Sequence, residues 1–144
     1  MDEAQFKLFE QWIQLARAGD SAGLYLAFGE AVYPQNVFEQ SRALLKEAAN
    51  TVTDVDLQRF TILAEGMKGF DITDALDRVA CPTLVIGSKD DRVLGGEASA
   101  EIAERLGQRA ELYMYDGYGH AAYDTAPDYK ERLMRFLATE KATD

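Results

Sequence analysis

Through residues 1–71 the apolar positions recur with a helical period, and beyond Pro82 short continuous apolar runs alternate with that period. Phe6, Phe9, Ile13 and Ala16 share one face, widened by Leu8, Trp12 and Leu15, which predicts an amphipathic first helix. Asp2, with Gln5 three residues on, fits a capping box at its start. Gly19-Asp20 ends that helix and Ser21 reads as the next cap. Leu24, Phe28, Ala31 and Val32 carry a second helix to Tyr33, where Pro34 stops it. Phe38, Leu44, Leu45 and Ala48 predict a third helix from about Val37 to Ala49. Asp54 reads as the cap of a fourth, with Leu57, Phe60, Ile62 and Leu63 inside. Met67 to Thr73 is a glycine-containing connector, and Asp74 opens a short helical turn from Ala75 to Val79.

The pattern then changes. Thr83-Leu-Val-Ile86 is a short, nearly continuous apolar run led by Pro82 and closed by Gly87, as expected of a parallel strand covered on both faces. Ala98 to Leu106 reads as a helix with Ile102, Ala103 and Leu106 inward, and Glu111 to Tyr115 as a second strand. Pro127 starts a last helix with Tyr129, Leu133, Phe136 and Leu137 on its apolar face, and Lys141 to Asp144 are expected to fray. The predicted class is therefore α/β, with an all-helical region over residues 1–71 and a strand–helix–strand–helix region within residues 72–144. A strand–helix–strand unit implies parallel pairing with a right-handed crossover. Two parallel strands alone leave edges to cover, so self-association or a missing N-terminal half is expected.

Composition narrows the function classes. At 144 residues, 47% hydrophobic and 28% charged, the chain reads as globular and large enough to bury a core. Fifteen Lys and Arg against 25 Asp and Glu give a net charge of −10 with no basic stripe, which argues against nucleic-acid binding. No apolar run approaches membrane-spanning length and no signal peptide is evident, so no membrane association and a cytoplasmic location are expected. Cys81, the only cysteine, cannot form an intramolecular disulfide and reads as a small buried residue beside Pro82. No metal or cofactor is implied.

The chemistry concentrates after the two strands. Asp90 and Asp91 follow the first, and the only histidine, His120, follows the second in Gly117-Tyr-Gly-His120. Catalytic groups of open parallel sheets collect at the carboxyl ends of strands, and an imidazole base needs an acid to hold its tautomer. The same residues also fit a solvated loop histidine and an acidic turn.

Pro82-Thr-Leu-Val-Ile-Gly87, Gly87-Ser-Lys-Asp90, the helix at Ala98–Leu106, the strand at Glu111–Tyr115 and Gly117-Tyr-Gly-His120 together resemble the C-terminal segment of the α/β-hydrolase superfamily. The resemblance covers residues 72 to 138, and residues 1–71 are similar to the helical cap that many members insert before it. It implies that Asp90, three residues after Gly87, is the triad acid rather than Asp91, and that His120 is the general base. It implies a serine-type hydrolase acting on carboxylic esters, with a small-molecule acyl substrate. The family order of nucleophile, acid, histidine puts the serine elbow before the cap. This chain is therefore expected to supply Asp90 and His120 and to be inactive alone for lack of an elbow. A non-catalytic remnant that self-associates or binds a partner is the alternative.

Two further motifs compete. Gly19-Asp-Ser21-Ala-Gly23 spells Gly-x-Ser-x-Gly, but a helix precedes it where the elbow needs a buried strand, so it reads as a helix-linking turn. Gly117-Tyr-Gly-His-Ala-Ala122 fits a dinucleotide fingerprint, but Pro127 delays the helix that such a fingerprint must open.

Overall fold

The computed structural model describes residues 2–140. Lys141 to Asp144, where fraying is expected, lie outside the described residues. The chain divides into two compact units, residues 1–71 and 72–144.

The first unit is helical: α1 (Glu3–Arg17), α2 (Ser21–Val32), α3 (Gln35–Ala49) and α4 (Asp54–Met67). The Asp2 side chain accepts from the Gln5 amide at 2.8 Å, and the Gln5 side chain accepts from the Asp2 amide at 2.7 Å, so the expected capping box closes. The next two caps sit one residue before the expected ones. Asp20, not Ser21, caps α2 by accepting from the Gly23 amide at 2.8 Å. Thr53, not Asp54, caps α4 in a second capping box with Asp56. Gly19 turns the chain between α1 and α2 at φ 72°.

α1 packs against both α2 and α4, and α2 against α3. Trp12 and Ile13 are each 1% exposed, and Phe9, Ala16, Leu24, Val32, Phe38 and Leu57 are buried with them in this unit. The Trp12 ring meets Phe9 edge-on at 5.1 Å and Phe28 at 5.0 Å. Ile62 and Leu63 are not inside α4 as expected but 71% exposed each, because the buried face runs through Leu57 and Ala64. Leu44 and Ala48 are likewise exposed, and Ala49 takes the buried position at the end of α3.

The second unit opens with a 3-10 turn at Thr73–Arg78, followed by β1 (Thr83–Ser88), α5 (Ala98–Leu106), a second 3-10 turn at Gly107–Arg109, β2 (Ala110–Tyr115), the one-turn α6 (Ala122–Thr125) and α7 (Tyr129–Glu140). Cys81 precedes β1 and is exposed, not buried, because the chain has not yet entered the sheet there. β1 and β2 pair in parallel, in register from Thr83 with Ala110 to Ser88 with Tyr115.

The sheet is covered on both faces, as its apolar runs predict. Val85 packs with Ala103 and Leu106 of α5. On the other face Tyr115 packs with Ala122 and Ala126, flanked by Ile86, Tyr113, Tyr118 and Tyr129. The Tyr115 hydroxyl donates to Asp128 at 2.8 Å, and the Arg132 guanidinium lies over the Tyr113 ring at 3.3 Å, so α7 is tied to β2 by polar and cation–π contacts. β1 does not stop at Gly87. A Cβ there would lie 2.5 Å from the Ser99 Cβ, so the missing side chain lets α5 approach the strand while pairing continues through Ser88.

Candidate active site

Both carboxyl ends of the strands lead into loops, and these loops bring the chemistry together. Ser88, 4% exposed, ends β1; its carbonyl accepts from the Asp91 amide at 3.2 Å, closing a turn over Lys89 and Asp90. That turn aims the two acids at different targets.

Asp91 faces the histidine. Its Oδ2 lies 2.9 Å from His120 Nδ1, and its Oδ1 accepts from the amides of Val93 at 2.8 Å and Leu94 at 3.0 Å. An ionised carboxylate can only accept, so Nδ1 carries the proton in either state of the ring, and when the ring is neutral Nε2 is the acceptor. Burial pushes the Asp91 carboxyl up, but the His120 bond, the two amides and the imidazole charge outweigh it and hold it below the ordinary value. The side chains are largely enclosed, Asp91 at 13% and His120 at 29% exposure.

Asp90, expected as the triad acid, does not touch His120. Its Oδ1 accepts from the Ser88 hydroxyl at 2.7 Å and the Gly117 amide at 3.0 Å, and its Oδ2 from the Gly119 amide at 2.9 Å. The acid that holds the imidazole is Asp91. The expectation of Asp90 comes from the Gly-x-x-Asp spacing of the family pattern, counted from Gly87. β1 runs one residue further, through Ser88, and in the turn that follows it is Asp91 that meets the imidazole. Burial acts to raise the Asp90 carboxyl too, but the Ser88 hydroxyl and the glycine amides hold it below its ordinary value.

His120 borders a cavity of about 210 Å³ with Asp91, Leu94, Ser99, Tyr123 and Tyr129. Tyr123 and Tyr129 thus line the space beside the imidazole, whereas Tyr118 packs edge-on against Tyr115 at 5.3 Å. Ser21 belongs to the helical unit, in the first turn of α2 directly after α1, with none of the strand-to-helix geometry of an elbow. Gly117-Tyr-Gly-His-Ala-Ala122 leads into only one helical turn, α6, and its glycine amides bind Asp90.

The structure superposes on a crystal structure of MGS-M2, an α/β hydrolase enzyme from a Medee basin deep-sea metagenome library. The TM-score is 0.77 over 92% of this chain and 50% of that one, at 22% identity. The chain has a partial α/β-hydrolase fold. Its sequence is similar to RutD proteins, named provisionally as carbamate hydrolases: 36% identical over 72 residues in Rhizobium rhizogenes, covering 49% of this chain and 27% of that one. With the Caulobacter sp. protein the figures are 31% over 116 residues, 77% and 42%. An α/β hydrolase domain-containing protein of Caenorhabditis elegans, aho-3, is 35% identical over 71 residues, 49% of this chain and 21% of that one. The chain thus spans less than half the length of these relatives. No family model matches it. Among the described residues no helix is long and apolar enough to cross a membrane.

Proposed function

We propose that this α/β-hydrolase segment supplies the acid–base half of a serine-type hydrolase, with His120 as the general base and Asp91 as the acid that orients it. The observation that carries the reading is the His120 Nδ1 to Asp91 Oδ2 contact of 2.9 Å beside a cavity at the strand ends. With Nδ1 protonated toward Asp91, Nε2 is free to take a proton from a serine hydroxyl as it attacks an acyl carbonyl. The imidazolium that forms is stabilised by the Asp91 carboxylate, and it returns the proton to the leaving group as the tetrahedral intermediate collapses. The serine is one presented by a strand-to-helix elbow, which the described residues do not include; Ser21 is not that residue. The substrate class is a carboxylic ester. A carbamate, which the names of the RutD relatives suggest, has the same acyl carbon and the same need for a base. Residues 1–71 would correspond to the helical cap of such an enzyme.

The test is a chimera in which this chain replaces the matching segment of the Caulobacter relative, assayed on nitrophenyl esters and carbamates and with a fluorophosphonate probe. Hydrolysis and serine labelling that vanish in His120→Ala and persist in Ser21→Ala are expected. A folded chimera that hydrolyses equally well without His120 would sink the reading. Labelling of Ser21 itself in the present chain would overturn its assignment as a turn residue.

A second reading, association through the strand unit, is favoured by the exposure of Leu112 on β2 and of Leu133, Met134 and Leu137 on α7. Light scattering on the purified chain separates the two. A monomer at all concentrations counts against association.

A further inference from the structure

Asp90 is left without a role once Asp91 is the acid beside His120, yet its carboxylate is among the most heavily bonded in the molecule. We propose that Asp90 is a positioning residue for His120: its carboxylate fills a nest formed by the Gly117 and Gly119 amides and so holds the loop that delivers the imidazole. The proposal rests on the reading of His120 as the base.

Gly117 and Gly119 both have left-handed backbone, at φ 82° and φ 62°, a region that residues with a Cβ enter at a cost. Neighbouring N–H groups in such turns form anion-binding concavities, and here the Gly117 and Gly119 amides converge on one carboxylate. That carboxylate is Asp90 of the same chain, with one oxygen on each glycine: Oδ1 on Gly117 at 3.0 Å and Oδ2 on Gly119 at 2.9 Å. The Ser88 hydroxyl, donating to Oδ1 at 2.7 Å, fixes the carboxylate from the strand side. The nest thus fastens the residue immediately before His120 to the end of β1. Asp91, next along the same turn, meets His120 Nδ1 itself. Two adjacent acids therefore split one task, with one holding the loop and the other holding the ring. Gly-x-Gly before the histidine reads as the receptor for the first of them.

The site needs two acceptor oxygens. In Asp90→Asn one oxygen becomes an amide NH₂, which cannot accept from a glycine N–H, so an isosteric change breaks half of the nest. A second tie between the same two loops, Lys89 Nζ to Asp116 Oδ2 at 3.3 Å, is solvent-exposed and serves as the control.

The experiment is NMR on the ¹⁵N-labelled chain, where the only histidine produces a single set of imidazole signals. In the wild type, long-range ¹H–¹⁵N correlations should show His120 protonated on Nδ1 in its neutral form. In Asp90→Asn and Asp90→Ala, the Gly117 and Gly119 amides should exchange with solvent about tenfold faster or more. The ordered Nδ1–H signal should be lost, while circular dichroism and the amides of β1 and α5 stay as they were. Lys89→Ala should leave His120 and both glycine amides unchanged. An intact Nδ1–H signal with slow glycine amides in Asp90→Asn overturns the proposal. So does an equal loss in Lys89→Ala, since any tie would then suffice. If Asp90→Ala fails to fold, Asp90→Asn decides alone. None of these signals depends on turnover, so a chimera that ignores His120→Ala would remove the catalytic reading while leaving the loop result to be read separately.

Discussion

The helical unit and the strand unit solve the same folding problem with different materials. Residues 1–71 bury large side chains, Trp12, Phe9, Ile13 and Phe38, and their ion pairs, such as Arg17 with Glu65 and Lys68 with Glu10, lie at the periphery. Residues 72–144 bury one ring, Tyr115, with Val85, Val93 and Leu106, and fill the rest with Ala103, Ala121, Ala122 and Ala126. The strand unit invests instead in directed bonds, with Asp90, Asp91, Ser88 and two left-handed glycines meeting at the strand ends. A core of rings tolerates small shifts in any one contact. A carboxylate bonded to three donors at 2.7–3.0 Å tolerates few. The difference matches what each unit must supply: bulk in one, and a fixed imidazole in the other.

The comparison breaks most visibly through function. In the chimera, His120→Ala should lower kcat for ester hydrolysis by about 10⁶-fold, with thermal unfolding of the chain little changed, since the ring is partly exposed. Loss of fold instead of activity would make His120 a packing residue. Trp12→Ala should do the reverse. Removing an indole that is 1% exposed should cost about 3–5 kcal/mol in chemical denaturation, while the His120 imidazole signals stay unaltered. Gly87→Ala sits between the two. A methyl group there meets the Ser99 Cβ at 2.5 Å and must push α5 off the strand, at a cost of about 1–3 kcal/mol. Asp2→Ala removes a capping box and should cost about 1 kcal/mol, read as a lower denaturation midpoint.

Much of this was legible because local chemistry and global fold agree. The capping box at Asp2 and Gln5, the helical period of α1, and the switch to a short apolar run at Thr83 all describe the structure. Covered strands need apolar residues on both faces and helices need them on one. What failed was counting. Gly87 reads as a stop because glycine weakens strands, but tertiary packing demanded it: only a residue without a Cβ lets Ser99 come so close. The family spacing counted from Gly87 names Asp90, whereas in the turn closed by the Ser88 carbonyl it is Asp91 that meets the imidazole. A signal for Asp91 was present in Asp91-Arg-Val93-Leu94, since an Asp whose side chain caps the following amides forms a turn that also aims its second oxygen. The exposure of Ile62 and Leu63 was not legible, because apolar residues on a solvent-facing side break no rule of local structure.

The smallest expected effect concerns acid, and it sharpens the contrast between the units. Asp90 and Asp91 both titrate below the ordinary 3.8 in the folded chain, burial being outweighed by their hydrogen bonds. A carboxyl depressed by folding takes up its proton in the unfolded chain first, so it favours the folded state above its unfolded value. That contribution is complete above about pH 3.8 and is lost as the pH falls through the lowered folded values. Asp91→Asn removes one such group. Its stability should therefore fall less steeply than that of the wild type between neutral pH and pH 3, measured as urea midpoints at each pH. Fluorescence of Trp12, the only tryptophan, and NMR of His120, the only histidine, offer local views of the two units during the same titration. Loss of the imidazole arrangement should accompany protonation of Asp91 and precede any change around Trp12. If the Trp12 environment responds first, the directed bonds of the strand unit are not its acid-sensitive part, and the division between bulk and geometry does not hold.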